Sequence, residues 1–146
     1  VFFRRLLALT FYTSLVLFRT LLNRKLWLNP LSDVCGGWSL WTINANGVRV
    51  LTTDSVENVL MLLPFTMLLM WAAKDKILKK VTFAGIVKSS FKTAFLFSLS
   101  VELLQLFLRV GTFQLSDLCY NTLGGIIGGV IYGAVWKIKS RKKMES

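Results

Sequence analysis

Hydrophobic positions along this chain fall into four long blocks separated by clusters of charge. The blocks cover approximately residues 3–22, 56–73, 92–108 and 117–136. A soluble amphipathic helix interrupts its apolar stripe with polar residues at every turn. These blocks mostly do not. Residues 58–73 and 118–136 hold no charged side chain, and 93–108 holds one, Glu102. A bilayer core of about 30 Å needs about 20 helical residues, within a range of about 17 to 25. The second and third blocks are slightly short, but lysines and arginines at their ends can snorkel to the interface. The pattern predicts an all-α integral membrane bundle of about four transmembrane helices, a single domain over residues 1–146.

The first block also has the look of a signal peptide, with Arg4 and Arg5 ahead of an apolar run to Phe18. No small-residue cleavage motif follows; the next residues are Arg19, Thr20, Leu21, Leu22, Asn23 and Arg24. A retained helix is therefore expected.

Composition adds one question, because a net charge of +11 would suit nucleic acid. Its distribution answers differently. Of the 18 Lys and Arg residues, 13 lie on one side of the predicted spans: Arg4 and Arg5, the lysines of 74–92, and the tail from Lys137 to Lys143. Arg19, Arg24, Lys25, Arg49 and Arg109 lie on the other. Positive residues concentrate on the cytoplasmic side, so both termini are expected in the cytoplasm, with the basic segments against anionic lipid headgroups. The bilayer is the expected partner, and nucleic acid is not.

The one sizeable connection, residues 23–53, then lies outside. Asn46 and Gly47, between Trp41-Thr42-Ile43 and Val48-Arg49-Val50, signal a tight turn and a short β-hairpin. The expected arrangement is a hairpin resting on the outer leaflet with Trp38 and Trp41 as interfacial anchors, in preference to a ligand-contacting lid. Asp54, three residues before Glu57, suggests a capping box at the start of the second helix. Cys35 and Cys119 fall on the same outer side, where a disulfide is permitted, although free thiols are the favoured reading. Histidine is absent, which removes the usual zinc sites and His-based triads. No metal or cofactor is expected.

Candidate chemistry lies in the polar residues inside the spans. Glu102 sits seven residues before Arg109, about 10 Å below the end of its helix. A carboxylate near the bilayer centre costs about 3 kcal/mol on insertion scales, so such residues usually face a partner or a water-filled cavity. At about 100° per residue, Ser98, Glu102, Gln105 and Arg109 share one helix face. Asp117, Asn121, Gly124 and Gly128 share a face of the fourth span by the same arithmetic. Gly124, Gly125, Gly128, Gly129 and Gly133 form small-xxx-small pairs that let helices approach closely, and packing is their whole expected role. Asp117 and Glu57 each have a plain structural reading as carboxylates at helix N-termini. Glu102 stands mid-helix and has none of that kind. Its structural alternative is an ion pair or a protonated, hydrogen-bonded carboxyl. The short link from Arg109 to Asp117 makes spans three and four antiparallel neighbours. Glu57, Asn58, Glu102, Gln105, Arg109, Asp117 and Asn121 are thereby expected to line an outward cavity.

At these residues the chain resembles the VanZ-like family, known for teicoplanin resistance. Asn58, Pro64 and Phe65 fit its N-x-x-x-F-x-P-F-G segment. Ser100, Glu102 and Gln105 fit S-x-E-x-x-Q. Asp117, Asn121, Thr122, Gly124, Gly125 and Gly128 fit D-x-x-x-N-T-x-G-G-x-x-G. Each segment is weak alone, and the three in order are specific. Leu62 stands where the family often has Phe, and Thr66 where it usually has Gly, which puts the local packing of the second span in question. The resemblance implies a multi-pass protein of the bacterial cell membrane linked to reduced susceptibility to lipoglycopeptides, but it supplies no reaction.

Three functions follow. The first is binding of a cell-wall precursor or lipid-tailed antibiotic at the outer leaflet, by Asn58, Glu102, Gln105, Arg109, Asp117 and Asn121. The second is an enzyme acting on a lipid headgroup or cell-wall precursor, with Glu102 and Asp117 as paired acid-base or metal-binding carboxylates. The third is a small transporter or flippase, for which four short spans would call for a homo-oligomer.

Overall fold

The computed structural model describes residues 2–22, 26 and 28–144; Arg24 and Lys25, counted above among the outer charges, lie outside that set. Four helices among the described residues are long and apolar enough to cross a membrane. Helix α1 covers Phe2–Leu17 and continues as a π-helical turn, Phe18–Leu22. Strands β1 (Trp41–Ile43) and β2 (Arg49–Leu51) follow, then α2 (Asp54–Ile77), α3 (Phe83–Leu108) and α4 (Leu115–Met144). The chain is thus a multi-pass membrane protein of mostly helical structure with one small sheet. The last three helices overrun the apolar blocks into basic sequence: Lys74 and Lys76 on α2, Lys88 on α3, Lys137 and Lys139 on α4.

The helix ends follow local chemistry. Thr82 caps α3, its side chain accepting from the Gly85 N–H at 3.0 Å. Arg109 ends α3 in the left-handed conformation, φ 56°, and its N–H returns to the Gln105 and Leu106 carbonyls. The start of α2 differs from expectation. Its N-cap is Thr53, with no side-chain cap bond. Glu57 does not reach back to close a capping box; its carboxylate pairs with Arg19 on the π-helical turn instead.

Helix α4 is the centre of the bundle, packed between α2 and α3. Its glycines divide between those neighbours. A Cβ on Gly124 would overlap the Val59 carbonyl, and one on Gly128 the Leu63 carbonyl, both on α2. One on Gly125 would overlap the Ala94 side chain, one on Gly129 would crowd Ser90, and one on Gly133 would lie 2.9 Å from the Phe83 ring, all on α3. In lipid no hydrophobic force draws helices together, so this close approach is what binds them. Thr66, the departure from the family pattern, is fully buried and donates to the Gly125 carbonyl at 2.9 Å. Its hydroxyl turns a loss of small size into an interhelical bond. Leu62, the other departure, is also buried, with Val16, Phe65 and Ala94.

Helix α1 leans chiefly on α2 and runs antiparallel to it. Tyr12 donates to the Met61 carbonyl at 2.9 Å. Near the opposite end Arg5 donates to the Trp71 carbonyl at 3.2 Å and lies over the Trp71 ring.

The hairpin forms as expected, with Trp41 opposite Leu51 and Ile43 opposite Arg49. Its turn is wider than a two-residue loop. The Gly47 N–H closes on the Asn44 carbonyl, Gly47 takes φ 75°, and Asn44 Oδ1 accepts from the N–H groups of Asn46 and Val48. Asn44 therefore organises the turn as much as the Asn-Gly pair does.

Candidate functional site

At the end of the bundle that carries the hairpin, three helix termini converge. The first turn of α2 brings Asp54, Glu57 and Asn58. The first turn of α4 brings Asp117, preceded by Gln114. The π turn of α1 brings Arg19 and Thr20. These side chains bond across helices. Asn58 Nδ2 donates to Asp117 Oδ1 at 2.6 Å, tying α2 to α4. Arg19 Nη2 donates to Glu57 Oε2 at 2.9 Å, tying α1 to α2. Gln105 Nε2 donates to the Thr20 carbonyl at 2.8 Å, tying α3 to the π turn, where carbonyls run out of partners within the helix.

Two adjoining polar cavities open here. The smaller, about 180 Å³, is lined by Arg19, Asp54, Glu57, Asn58, Gln114 and Asp117. The larger, about 320 Å³, shares Asp54, Gln114 and Asp117 with it and extends outward to Asp33, Trp41 and Thr42. A third cavity of about 320 Å³ runs as a groove between α1 and α2. It shares Arg19, Glu57 and Asn58 with the smaller cavity, then passes Tyr12, Leu60 and Met61.

The residues singled out in the sequence divide three ways. Asn58 and Asp117 line the polar cavities. Glu102, Gln105 and Asn121 are buried behind them. Glu102 is 2% exposed, and its Oε2 accepts from the Gln114 N–H at 3.2 Å, so the carboxylate holds the link that carries Gln114 into the cavity. Asn121 donates to Ser98 Oγ at 3.1 Å between α4 and α3. Arg109 stands apart: it is exposed at the end of α3 and lines none of these three cavities. The left-handed backbone that ends the helix takes it off the stripe that an unbroken helix would have continued. The arginine at the cavity is Arg19.

The connection between α1 and α2 does more than form a hairpin. It straps onto the α3–α4 link and walls the larger cavity. Phe113 and Leu115 N–H groups donate to the carbonyls of Pro30 and Val34 at 2.9 and 3.0 Å. Gln114 Nε2 donates to Asp33 Oδ2 at 2.6 Å, and the Tyr120 hydroxyl to the Trp38 carbonyl at 3.0 Å. Gly37, at φ 76°, sits where any Cβ would strike Ser116 Oγ. Cys35 and Cys119 are exposed free thiols.

Arg19, Asp33, Asp54 and Gln114 were not among the residues singled out as binding groups. Arg19 carried one signal, being the charge that ends the first apolar block. Gln114 and Asp33 carried none, since 81 residues separate them and only the folded loop joins them.

Chemically, the cavities present carboxylates, amides and hydroxyls, with a single guanidinium among the described residues, Arg19, already bonded to Glu57. Such a surface accepts hydrogen bonds from ammonium, amide and hydroxyl groups. A family model described as VanZ/LLP1 matches residues 3–137, nearly the whole chain. No curated protein and no solved structure matches it.

Proposed function

The chain belongs to the VanZ/LLP1 family, and from that premise we propose that it lowers susceptibility to teicoplanin-type lipoglycopeptides in a bacterial cell membrane. It does so by engaging a lipid-tailed or lipid-linked ligand in an outward-facing polar chamber. The observation that carries this reading is the chamber itself. Asn58 and Asp117 meet at its wall, and a strapped loop bounds its outer side. Asn58 and Asp117 touch the ligand. Glu102, Gln105 and Asn121 position the chamber from behind. The five glycines pack the bundle that supports it.

The outward direction follows from charge. With 13 basic residues at the end that holds both termini, that end faces the cytoplasm. Reporter fusions after Ala45 read as external, and fusions after Lys80 or Lys142 as cytoplasmic. A cytoplasmic reading at Ala45 would turn the chamber inward and remove the proposal.

The functional test measures antibiotic protection alongside membrane abundance for Glu102→Gln and Asp117→Asn. Each amide keeps the shape of the acid and is cheaper to bury than a charge, so abundance holds. Protection falls severalfold in both. Full protection from Glu102→Gln at normal abundance would leave that position a hydrogen-bonding role only. Full protection from Asp117→Asn as well would remove the carboxylate from ligand binding.

A further inference from the structure

The groove between α1 and α2 changes chemistry along its length. At the hairpin end it is walled by Arg19, Glu57 and Asn58; deeper in it is walled by Tyr12, Leu60 and Met61. We propose that this groove is a lateral portal from the outer leaflet for an amphiphile bearing an ammonium headgroup. The hydrocarbon chain lies along Tyr12, Leu60 and Met61, and the head reaches the chamber at Asp54 and Asp117. The inference rests on the outward-chamber reading above and adds to it a route and a headgroup class.

Continuity supports the route. The groove shares three lining residues with the smaller polar cavity, which shares three more with the larger. Polar and apolar subsites therefore adjoin, with only the side chains common to both standing between them. Depth fits as well. Tyr12 precedes Arg19 by seven residues, about 10 Å along the helix, which keeps the groove in the outer half of a bilayer core of about 30 Å. The Tyr12 hydroxyl bonds the Met61 carbonyl across from α1 to α2 and closes the floor. Leu60 is 57% exposed, so the side of the groove is open to lipid.

The mouth is weakly held. Among the described residues, the Arg19–Glu57 pair is the side-chain bond that crosses from the π turn to α2 there, and both side chains are about half exposed. An ion pair of that exposure contributes little, so parting it to admit a headgroup is easy.

Charge selects the head. The walls of the three cavities include the carboxylates Asp33, Asp54, Glu57 and Asp117 and one guanidinium, Arg19, among the described residues. Arg19 is already engaged by Glu57, and Asp117 and Asp33 accept from amides. A phosphate entering this chamber would meet carboxylates of its own sign, whereas an ammonium would meet acceptors.

The experiment uses the full chain in nanodiscs of phosphatidylcholine. Two photoreactive single-chain amphiphiles are compared, each with a diazirine on the chain close to the head, one headed by a primary ammonium and one by a phosphate. Adducts are mapped by mass spectrometry. Phe107 at the end of α3, 84% exposed, reports ordinary bilayer contact. The ammonium probe labels Leu60 and Met61 saturably and above Phe107, and unlabelled alkylammonium competes it away. The phosphate probe labels them about tenfold less at equal concentration, and Asp54→Asn narrows that gap severalfold. Groove labelling equal to Phe107 and unsaturable would overturn the lateral route. If Trp41 or Gln114 were still labelled saturably, the chamber reading would survive that loss; no saturable labelling at any residue would end both. Equal saturation by the phosphate probe, or a gap unchanged in Asp54→Asn, would overturn the headgroup assignment alone.

Discussion

The two sides of this bundle are built by opposite means. In the slab formed by α2, α4 and α3, backbones approach so closely that five glycines have no room for a Cβ, or room only if a neighbour gives way. Helix α1 touches the slab through longer side chains: a tyrosine hydroxyl, an arginine over a tryptophan, and an exposed ion pair. The fractions buried show the same contrast, 44% for the most apolar window of α4 against 11% for that of the first span. Backbone contact fixes geometry, while side-chain contact over a groove permits a helix to shift. The slab thus holds Asn58 and Asp117 in register, and the loosely seated α1 leaves a gap beside them.

Gly124→Leu puts the contrast to its strongest test. The Val59 carbonyl cannot rotate away as a side chain can, so the helices must separate, at a cost of about 3 kcal/mol or more. Folded protein in the membrane drops sharply, and the detergent melting temperature falls with it. Thr10→Leu, at an exposed position on α1, changes neither. Normal abundance and melting for Gly124→Leu would mean that the slab is not held by backbone contact.

A middle-sized effect is expected at Asn58→Leu. It removes the 2.6 Å bond to Asp117 that links α2 to α4 across the chamber. Bonds of this type to ionisable acceptors contribute about 1.5–3 kcal/mol. The melting temperature falls by several degrees, less than for Gly124→Leu. A drop as large as the glycine variant's would show that the polar chamber, not the glycine contact, carries the slab.

Arg19→Gln gives the smallest effect. Exposed ion pairs contribute about 0–1 kcal/mol, so melting shifts by no more than about 4 °C. A collapse of abundance would show α1 to be a fixed part of the bundle and would remove the weak mouth from the groove.

Much of this was legible residue by residue. The four blocks of apolar sequence correspond to α1, α2, α3 and α4, because a helix in lipid must satisfy its own backbone and show apolar side chains around most of its surface. The glycines of α4 announced close packing, although not that Gly124 and Gly128 serve α2 while Gly125, Gly129 and Gly133 serve α3. The stripe from Ser98 to Gln105 held, with all three of Ser98, Glu102 and Gln105 buried. Arg109 left it because one left-handed residue at a helix end redirects the side chain, and helical periodicity has no means of registering that.

The sequence by itself determined the number of spans, their packing residues and the polar positions within them. Each follows from a local constraint: apolar length against bilayer thickness, small side chains against backbone approach, and the cost of an unpartnered carboxylate in lipid. Only the tertiary structure decided which polar groups meet. Arg19 with Glu57, Asn58 with Asp117, and Gln114 with Asp33 are separated by 38, 59 and 81 residues. Pairings at that distance depend on how helices are set against one another and how the long connection folds back. Those are properties of the whole packed bundle, which no single segment encodes.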